Sequence, residues 1–175
     1  MTIQMQAEEF FNAYLVLKEN NEALIERLSD SPGKPIIGTK ELGTRPTTGV
    51  DIVCLAFSVE LYIKDLHFAI DGEAPRGHNI RKLFEKLPEQ IQQEIFCYDA
   101  ISQNPFFTRG NILSTNRFAS DFSAYDGFLE QIEAISDGFE KWRYSYESAA
   151  LQYDTSFALA FIESIKSAAD EVRKH

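Results

Sequence analysis

The sequence has few of the residues that form disulfide frameworks or metal sites. Only two cysteines, Cys54 and Cys97, occur among 175 residues, and no CxxC spacing joins them. Each lies within an apolar run, which favours two reduced core thiols in a cytosolic protein. The three histidines, His67, His78 and His175, form no HExxH motif and no Cys/His cluster. We therefore expect neither a metal nor a cofactor.

Positive charge is also scarce, and no stretch is both long and free of charge. Lysine and arginine together number 17 against 27 acidic residues, a formal net charge of -10. Phosphate affinity comes mainly from clustered Lys and Arg, so general DNA binding is not expected. The most apolar stretch, about 50–71, carries six ionisable groups, which argues against a membrane span. No basic segment followed by an apolar one opens the chain, so we expect a cytoplasmic protein.

Hydrophobic residues, at 44% of the chain, recur mostly with helical spacing and indicate a single domain over 1–175. An amphipathic helix is predicted over 3–29. Three prolines and four glycines exclude helix from most of 30–49, which we interpret as a loop. The stretch 50–71 is apolar almost all the way round, as expected of a helix buried at the centre of a domain, with Thr47 or Thr48 as its N-cap.

The rest of the chain continues the helical pattern. Shorter helices are predicted over 79–87 and 89–102, a long aromatic one over 118–146, and a last one after a cap at Asp154 or Thr155. The sequence therefore predicts an all-α fold, a helical bundle of five or six helices around the buried central helix.

The central helix carries one polar stripe. Glu60, Lys64, His67 and Asp71 fall within about 60° of one another at the helical period. Glu60 and Lys64 form an i,i+4 pair, worth a few tenths of a kcal/mol if exposed. If the pair is buried, it would be costly to maintain and a functional role is favoured. The ammonium of Lys64 would repel a cation between Glu60 and His67, so a metal site is not expected there.

A basic segment follows the central helix. Arg76, Arg81 and Lys82, with Lys64 before them, surround His78 at the start of the next predicted helix, where a phosphate-bearing ligand could bind. The alternative interpretation is that His78 caps that helix and the charges form a solvated face. Further along, Arg143 and Tyr144 could stack on or pair with a nucleotide, or could simply close one end of the bundle.

Three segments resemble the HEPN superfamily (higher eukaryote and prokaryote nucleotide-binding domains). They are AxSxELYxK over Ala56–Lys64, GHNIRKLFEKL over Gly77–Leu87, and WRYSYE over Trp142–Glu147. The resemblance covers about a third of the chain. It implies a compact helical bundle, often a homodimer, and its relatives include ribonuclease toxins, defence proteins and non-catalytic binding modules.

One departure from the family pattern bears on function. Ribonuclease members of the family carry an Arg, then four to six intervening residues, then a His. Here the residues five to seven positions before each histidine include no Arg. We therefore expect no catalytic residues, and instead a HEPN-like domain that recognises a nucleotide, an RNA or a partner protein. A nucleotidyltransferase-like partner in a toxin–antitoxin or defence system would fit. The alternatives are a protein-interaction module without a small ligand, and an RNA-cleaving toxin with an atypical site.

The apolar surface of the central helix and the 118–146 segment also predicts a homodimer with an isologous interface. Phe118, Phe122 and Tyr125 are the residues we expect at its edge. The alternative is a monomer in which the 30–49 loop folds over this surface.

Overall fold

A computed structural model describes residues 2–29, 49–102, 124–136 and 154–174. Within these ranges the chain forms helices and no strand, so the predicted all-α class is confirmed. The described part contains seven helices rather than five or six, two of them only one turn long. They are α1 (Ile3–Ser29), α2 (Val50–Asp71), α3 (Ile80–Phe84), α4 (Glu89–Phe96), α5 (Asp99–Ser102), α6 (124–136) and α7 (Thr155–Lys174).

Helix α2 packs against α1, α3 and α7. Its pairing with α1 is antiparallel, since Asn21 near the end of α1 reaches Asp51 near the start of α2, and Phe10 contacts Phe57 further along. The inner side of α2 is almost completely buried, including Leu55, Val59, Tyr62, Ile63 and Leu66. A fully buried side chain of this size contributes about 1.5–3 kcal/mol relative to an exposed one, so this face stabilises the centre of the domain.

Helix α2 lies at the centre of the fold, but it is not buried all the way round. Its outer side carries Val50, Phe57, Leu61 and Phe68, none of which is buried, and Phe68 is 51% exposed. A helix with apolar residues on every side can still present one of those sides to solvent. Periodicity alone does not distinguish a surface covered by the same chain from one that is left open.

Phe128 of α6 lies at the centre of an aromatic cluster. It is fully buried, and its ring centroid lies 5.3–5.9 Å from those of Phe84, Phe96, Tyr125, Phe157 and Phe161. These rings join α3, α4, α6 and α7. Tyr125 also donates to the side-chain oxygen of Gln92. It therefore packs inside the protomer, which does not favour the interface position that we predicted for it. Phe118 and Phe122 lie outside the described residues.

Helix boundaries differ from the predictions at positions where local capping determines the residue at which a helix begins or ends. The predicted 89–102 helix is two helices, α4 and α5, separated at Cys97 and Tyr98. Gly49, with a φ of 91°, occupies the N-cap position of α2, and Thr47 and Thr48 lie outside the described residues. The cap of α7 is Asp154, whose carboxylate accepts from the backbone N–H groups of Ser156 and Phe157. Both cysteines are free, but Cys97 is exposed rather than in the core.

Candidate functional site

The buried carboxylate of Glu60 connects the two polar groups predicted from the sequence. Lys64 Nζ donates to Glu60 Oε1 at 2.7 Å, and His78 Nδ1 lies 3.0 Å from the same oxygen. The Glu60 side chain is only 7% exposed and that of Lys64 15%, so this is a nearly buried ion pair. His78 is 73% exposed, so the imidazole bridges from a buried carboxylate to solvent.

The contact with Glu60 determines which ring nitrogen of His78 carries the proton. A carboxylate only accepts hydrogen bonds, so Nδ1 must carry the proton that Glu60 receives. The other ring nitrogen, Nε2, is then the one available to a ligand. It accepts a hydrogen bond when the ring is neutral and donates one when the ring is protonated. A protonated His78 would thus present an N–H donor to an anion while its Nδ1–H stays bonded to Glu60.

The loop between α2 and α3 brings His78 to this position. Gly72, with a φ of 74°, ends α2 through its N–H bond to the carbonyl of Phe68. This left-handed conformation is one that glycine adopts without steric cost, and it turns the chain back toward α2. Asn79 then caps α3, accepting from the backbone N–H of Lys82 at 2.8 Å. The interpretation of His78 as the cap of this helix is therefore wrong, because its neighbour fills that role.

The predicted polar stripe of α2 separates into different roles. Glu60 and Lys64 belong to the cluster with His78. His67 is buried, and its Nε2 donates to the carbonyl of Leu83 at 2.9 Å, which ties α3 to α2. Asp71 is exposed and shares a shallow groove with His67, Glu73 and Lys86. Two carboxylates line that groove, so it does not extend the positively charged surface around His78.

The predicted cations also differ in their surroundings. Arg81 Nε donates to Glu85 at 2.9 Å and lies 3.7 Å from Glu133 of α6. The hydrogen bond with Glu85 raises the pKa of Arg81 further above its ordinary value. Arg76 and Lys82 are exposed and have no carboxylate partner among the described residues. Arg143 and Tyr144 lie outside those residues.

A second polar cluster, which the sequence reasoning missed, lies between α2 and α7. Buried Asp65 accepts a hydrogen bond from Arg173, and Lys166 lies 5.5 Å from the ring centroid of Tyr62. Burial, followed by the charges of Glu8 and Asp65, raises the pKa of Tyr62 to about 12. These side chains line a cavity of about 50 Å³. Ligand pockets usually measure about 300–1,000 Å³, so this cavity suits a few water molecules rather than a nucleotide.

Two further observations concern the described ranges as a whole. In them, no three or more His, Cys, Asp or Glu side chains form a group that could hold a metal ion. Their helices also include none with the length and apolar character needed to span a bilayer.

Comparisons of the chain with models of protein families, with curated proteins and with solved structures found no match.

Proposed function

We propose that the chain is a HEPN-like helical domain without nuclease activity that binds a phosphate group of a nucleotide or RNA at the edge formed by His78, Arg76 and Lys82. The observation that carries this proposal is the exposed imidazole of His78, held through Nδ1 by the buried carboxylate of Glu60. The two neighbouring cations are exposed and form no ion pair with a described carboxylate. Together they form a locally positive edge on an acidic protein.

The cluster joins two of the three segments that resemble the HEPN superfamily, a resemblance on which the proposal also rests. Glu60 and Lys64 come from the first matching segment, AxSxELYxK, and His78 from the second, GHNIRKLFEKL. The fold brings His78 onto the same carboxylate oxygen of Glu60 that Lys64 contacts, although His78 lies 18 positions after Glu60 in the chain.

Phosphate binding at His78 has a defined proton linkage. Nδ1–H is engaged by Glu60, so the ring can donate to a phosphate oxygen only when Nε2 is also protonated. The ligand therefore favours the imidazolium form of His78. Lys64 and Glu60 are the charged groups in direct contact with this ring or with its partner.

The test is binding of a short 5′-phosphorylated single-stranded RNA, measured by fluorescence anisotropy at two salt concentrations. A hydrogen bond to a charged group is worth about 1.5–3 kcal/mol, so His78→Ala should weaken binding by roughly ten- to a hundredfold. Lys82→Ala should weaken it and reduce its salt dependence. Lys18→Ala, on α1, is the matched control and should leave affinity unchanged. No binding by the native chain, or equal binding by the His78 and Lys18 variants, would contradict the proposal.

RNA cleavage is the second candidate, because a carboxylate that orients an exposed imidazole is also an arrangement suited to acid–base chemistry. The same RNA, incubated with the protein in excess chelator, distinguishes the two functions. Cleavage that disappears in His78→Ala would replace the binding proposal with an atypical nuclease. Intact RNA with no binding would instead favour a protein-interaction module, for which the nucleotidyltransferase-like partner is the first to test.

We also propose that the domain works as a homodimer, as the resemblance implies.

A further inference from the structure

The groove next to the loop between α2 and α3 carries hydrogen-bonding groups that the phosphate site does not use. Its volume is about 290 Å³, and it is lined by His67, Asp71, Glu73, Ala74, Pro75 and Lys86. The two carboxylates and the lysine are exposed, and none of them forms an ion pair within the described part of the chain. Ligand pockets usually begin at about 300 Å³, so the groove has room for one ring system rather than for a whole nucleotide. We call it the His67 groove.

Buried His67 presents its second ring nitrogen to this groove. The side chain is 4% exposed, and its Nε2 donates to the carbonyl of Leu83 at 2.9 Å. In the neutral ring Nδ1 is therefore an acceptor, and it has no partner among the described residues. Within those residues, the polar side-chain atoms that are fully enclosed without a partner are the hydroxyls of Tyr14 and Tyr62. Nδ1 is not one of them, so it remains accessible from the groove that His67 lines.

The His67 groove and the edge at His78 lie about one nucleotide apart. His78 is bonded to Glu60, and His67 lies two turns further along the same stripe of α2, a rise of about 11 Å. Pro75 lines the groove, and the loop leads from it to His78 over at most about 11 Å of extended chain. A 5′-phosphate at His78 and the base of the same nucleotide in the groove are therefore compatible with one another.

The groups in the groove match guanine better than the other bases. Three acceptors line it, on Asp71, Glu73 and His67, and one donor, on Lys86. Guanine presents N–H donors at N1 and N2 on one edge, with the acceptors O6 and N7 beside them. Adenine and cytosine each offer a single amino group, and uracil a single N–H, so these bases leave acceptors of the groove unpaired. An acceptor that is covered without a partner is costly, which favours guanine.

The charges also orient the nucleotide. The two carboxylates of the groove repel a phosphate. At the His78 edge, Arg76 and Lys82 are exposed cations without a carboxylate partner in the described ranges. The phosphate is therefore held at that edge, and the uncharged base enters the groove. There Ala74 and Pro75 supply apolar contact for the face of the ring.

We propose that the His67 groove selects guanine, so that the domain takes a guanine nucleotide whose 5′-phosphate lies at His78. The inference rests on the proposed phosphate binding. It adds a set of residues that determine base specificity, namely His67, Asp71, Glu73 and Lys86.

Fluorescence anisotropy tests the inference with short 5′-phosphorylated RNAs that differ only at the first base, the others being uridine. The native chain should bind the RNA that begins with guanine at least about tenfold more tightly than the one that begins with adenine, since a good pair of hydrogen bonds to a base discriminates by this much or more. Hypoxanthine at the first position lacks the N2 amino group of guanine. Its RNA should bind with intermediate affinity.

Substitutions separate recognition of the base from recognition of the phosphate. The double variant Asp71→Asn with Glu73→Gln should lose the guanine preference and bind the adenine RNA no more weakly, because an amide opposes one of two adjacent N–H donors with a donor of its own. His78→Ala should weaken both RNAs by the same factor and keep the preference. The matched control is Glu94→Gln with Asp99→Asn, which removes two exposed carboxylates that do not line this groove. It should change neither property.

The contrary outcomes distinguish this inference from the proposed function. RNA binding that depends on His78 but not on the first base would overturn guanine selection and leave phosphate binding in place. A guanine preference that survives the double change in the groove, or that the control variant loses equally, would do the same. No binding of any RNA by the native chain would overturn the phosphate site, and guanine selection with it.

Discussion

The contact between Glu60 and Lys64 makes a quantitative prediction about stability. Glu60→Gln removes the carboxylate but keeps its size, leaving the nearly buried ammonium of Lys64 without an anionic partner. Removing one member of a buried ion pair typically costs about 3–5 kcal/mol. The Lys64 side chain keeps 15% of its exposure, so we expect a loss of about 3 kcal/mol, the lower end of that range. Against a total stability of about 5–15 kcal/mol, such a loss is readily measured.

The assay is urea unfolding followed by far-UV circular dichroism at pH 7 and one fixed protein concentration, since dimerisation makes stability depend on concentration. Lys64→Met and the double variant complete a cycle. The double variant should lose about 1–2 kcal/mol less than the sum of the single changes, because it removes both charges together. Glu85→Gln is the control, since its pair with Arg81 is exposed and such pairs contribute about 0–1 kcal/mol. A loss from Glu60→Gln no larger than that of the control, or strictly additive changes, would show that Glu60 and Lys64 are not coupled as a buried ion pair.

Two further predictions concern the aromatic core and the second polar cluster. Phe128→Ala should lower the free energy of unfolding by about 3–5 kcal/mol in urea, because the buried ring contacts five others. Phe68→Ala, at an exposed position, should cost far less at low protein concentration. Similar losses from the two changes would argue against the position of α6. For Tyr62, burial raises the pKa in the folded state to about 12 from an ordinary value of 10.0, so its ionisation does not change stability below about pH 10, and stability falls as the pH rises toward 12 because the unfolded chain loses this proton first. Stability should therefore fall less between pH 9.5 and 11 in Tyr62→Phe than in the native chain; parallel curves would contradict this. At pH 7 the same variant should be as stable as the native chain or more so, because the buried hydroxyl has no hydrogen-bond partner among the described residues.

The parts of the fold that the sequence predicts well are those governed by a strong local signal. The helical period predicted α1 and α2 with bounds that match the structure, and the Asp154 side chain marked the start of α7. Helix boundaries that are set by backbone groups were harder to predict. The break at Cys97 and Tyr98 involves no proline or glycine, and the N-cap position of α2 is held by Gly49 without a side-chain hydrogen bond.

Long-range packing accounts for the features that were missed. Phe128 falls between two of the apolar positions whose spacing predicted the 118–146 helix. It becomes the central ring only because α3, α4, α6 and α7 converge on it. Asp65 and Arg173 are 108 positions apart, so no local pattern could pair them.

The candidate site was predicted in two separate pieces. The spacing of Glu60 and Lys64 indicated an ion pair, and the basic segment indicated His78, but their meeting at one oxygen depends on the turn at Gly72. The His67 contact with the Leu83 carbonyl could not be inferred either, because the sequence alone does not distinguish one backbone carbonyl from another as the acceptor.

We propose that Glu60 holds His78 through Nδ1 and leaves Nε2 for a phosphate. Long-range proton–nitrogen NMR of the histidine rings, in nitrogen-15-labelled protein at constant pH, tests it directly. On addition of the 5′-phosphorylated RNA, the Nε2 resonance of His78 should move toward the protonated position. The resonances of His67, whose Nε2 donates to the Leu83 carbonyl, should stay in place. Saturation with RNA that leaves the His78 resonances unmoved, or a neutral His78 ring protonated on Nε2 instead of Nδ1, would contradict the account.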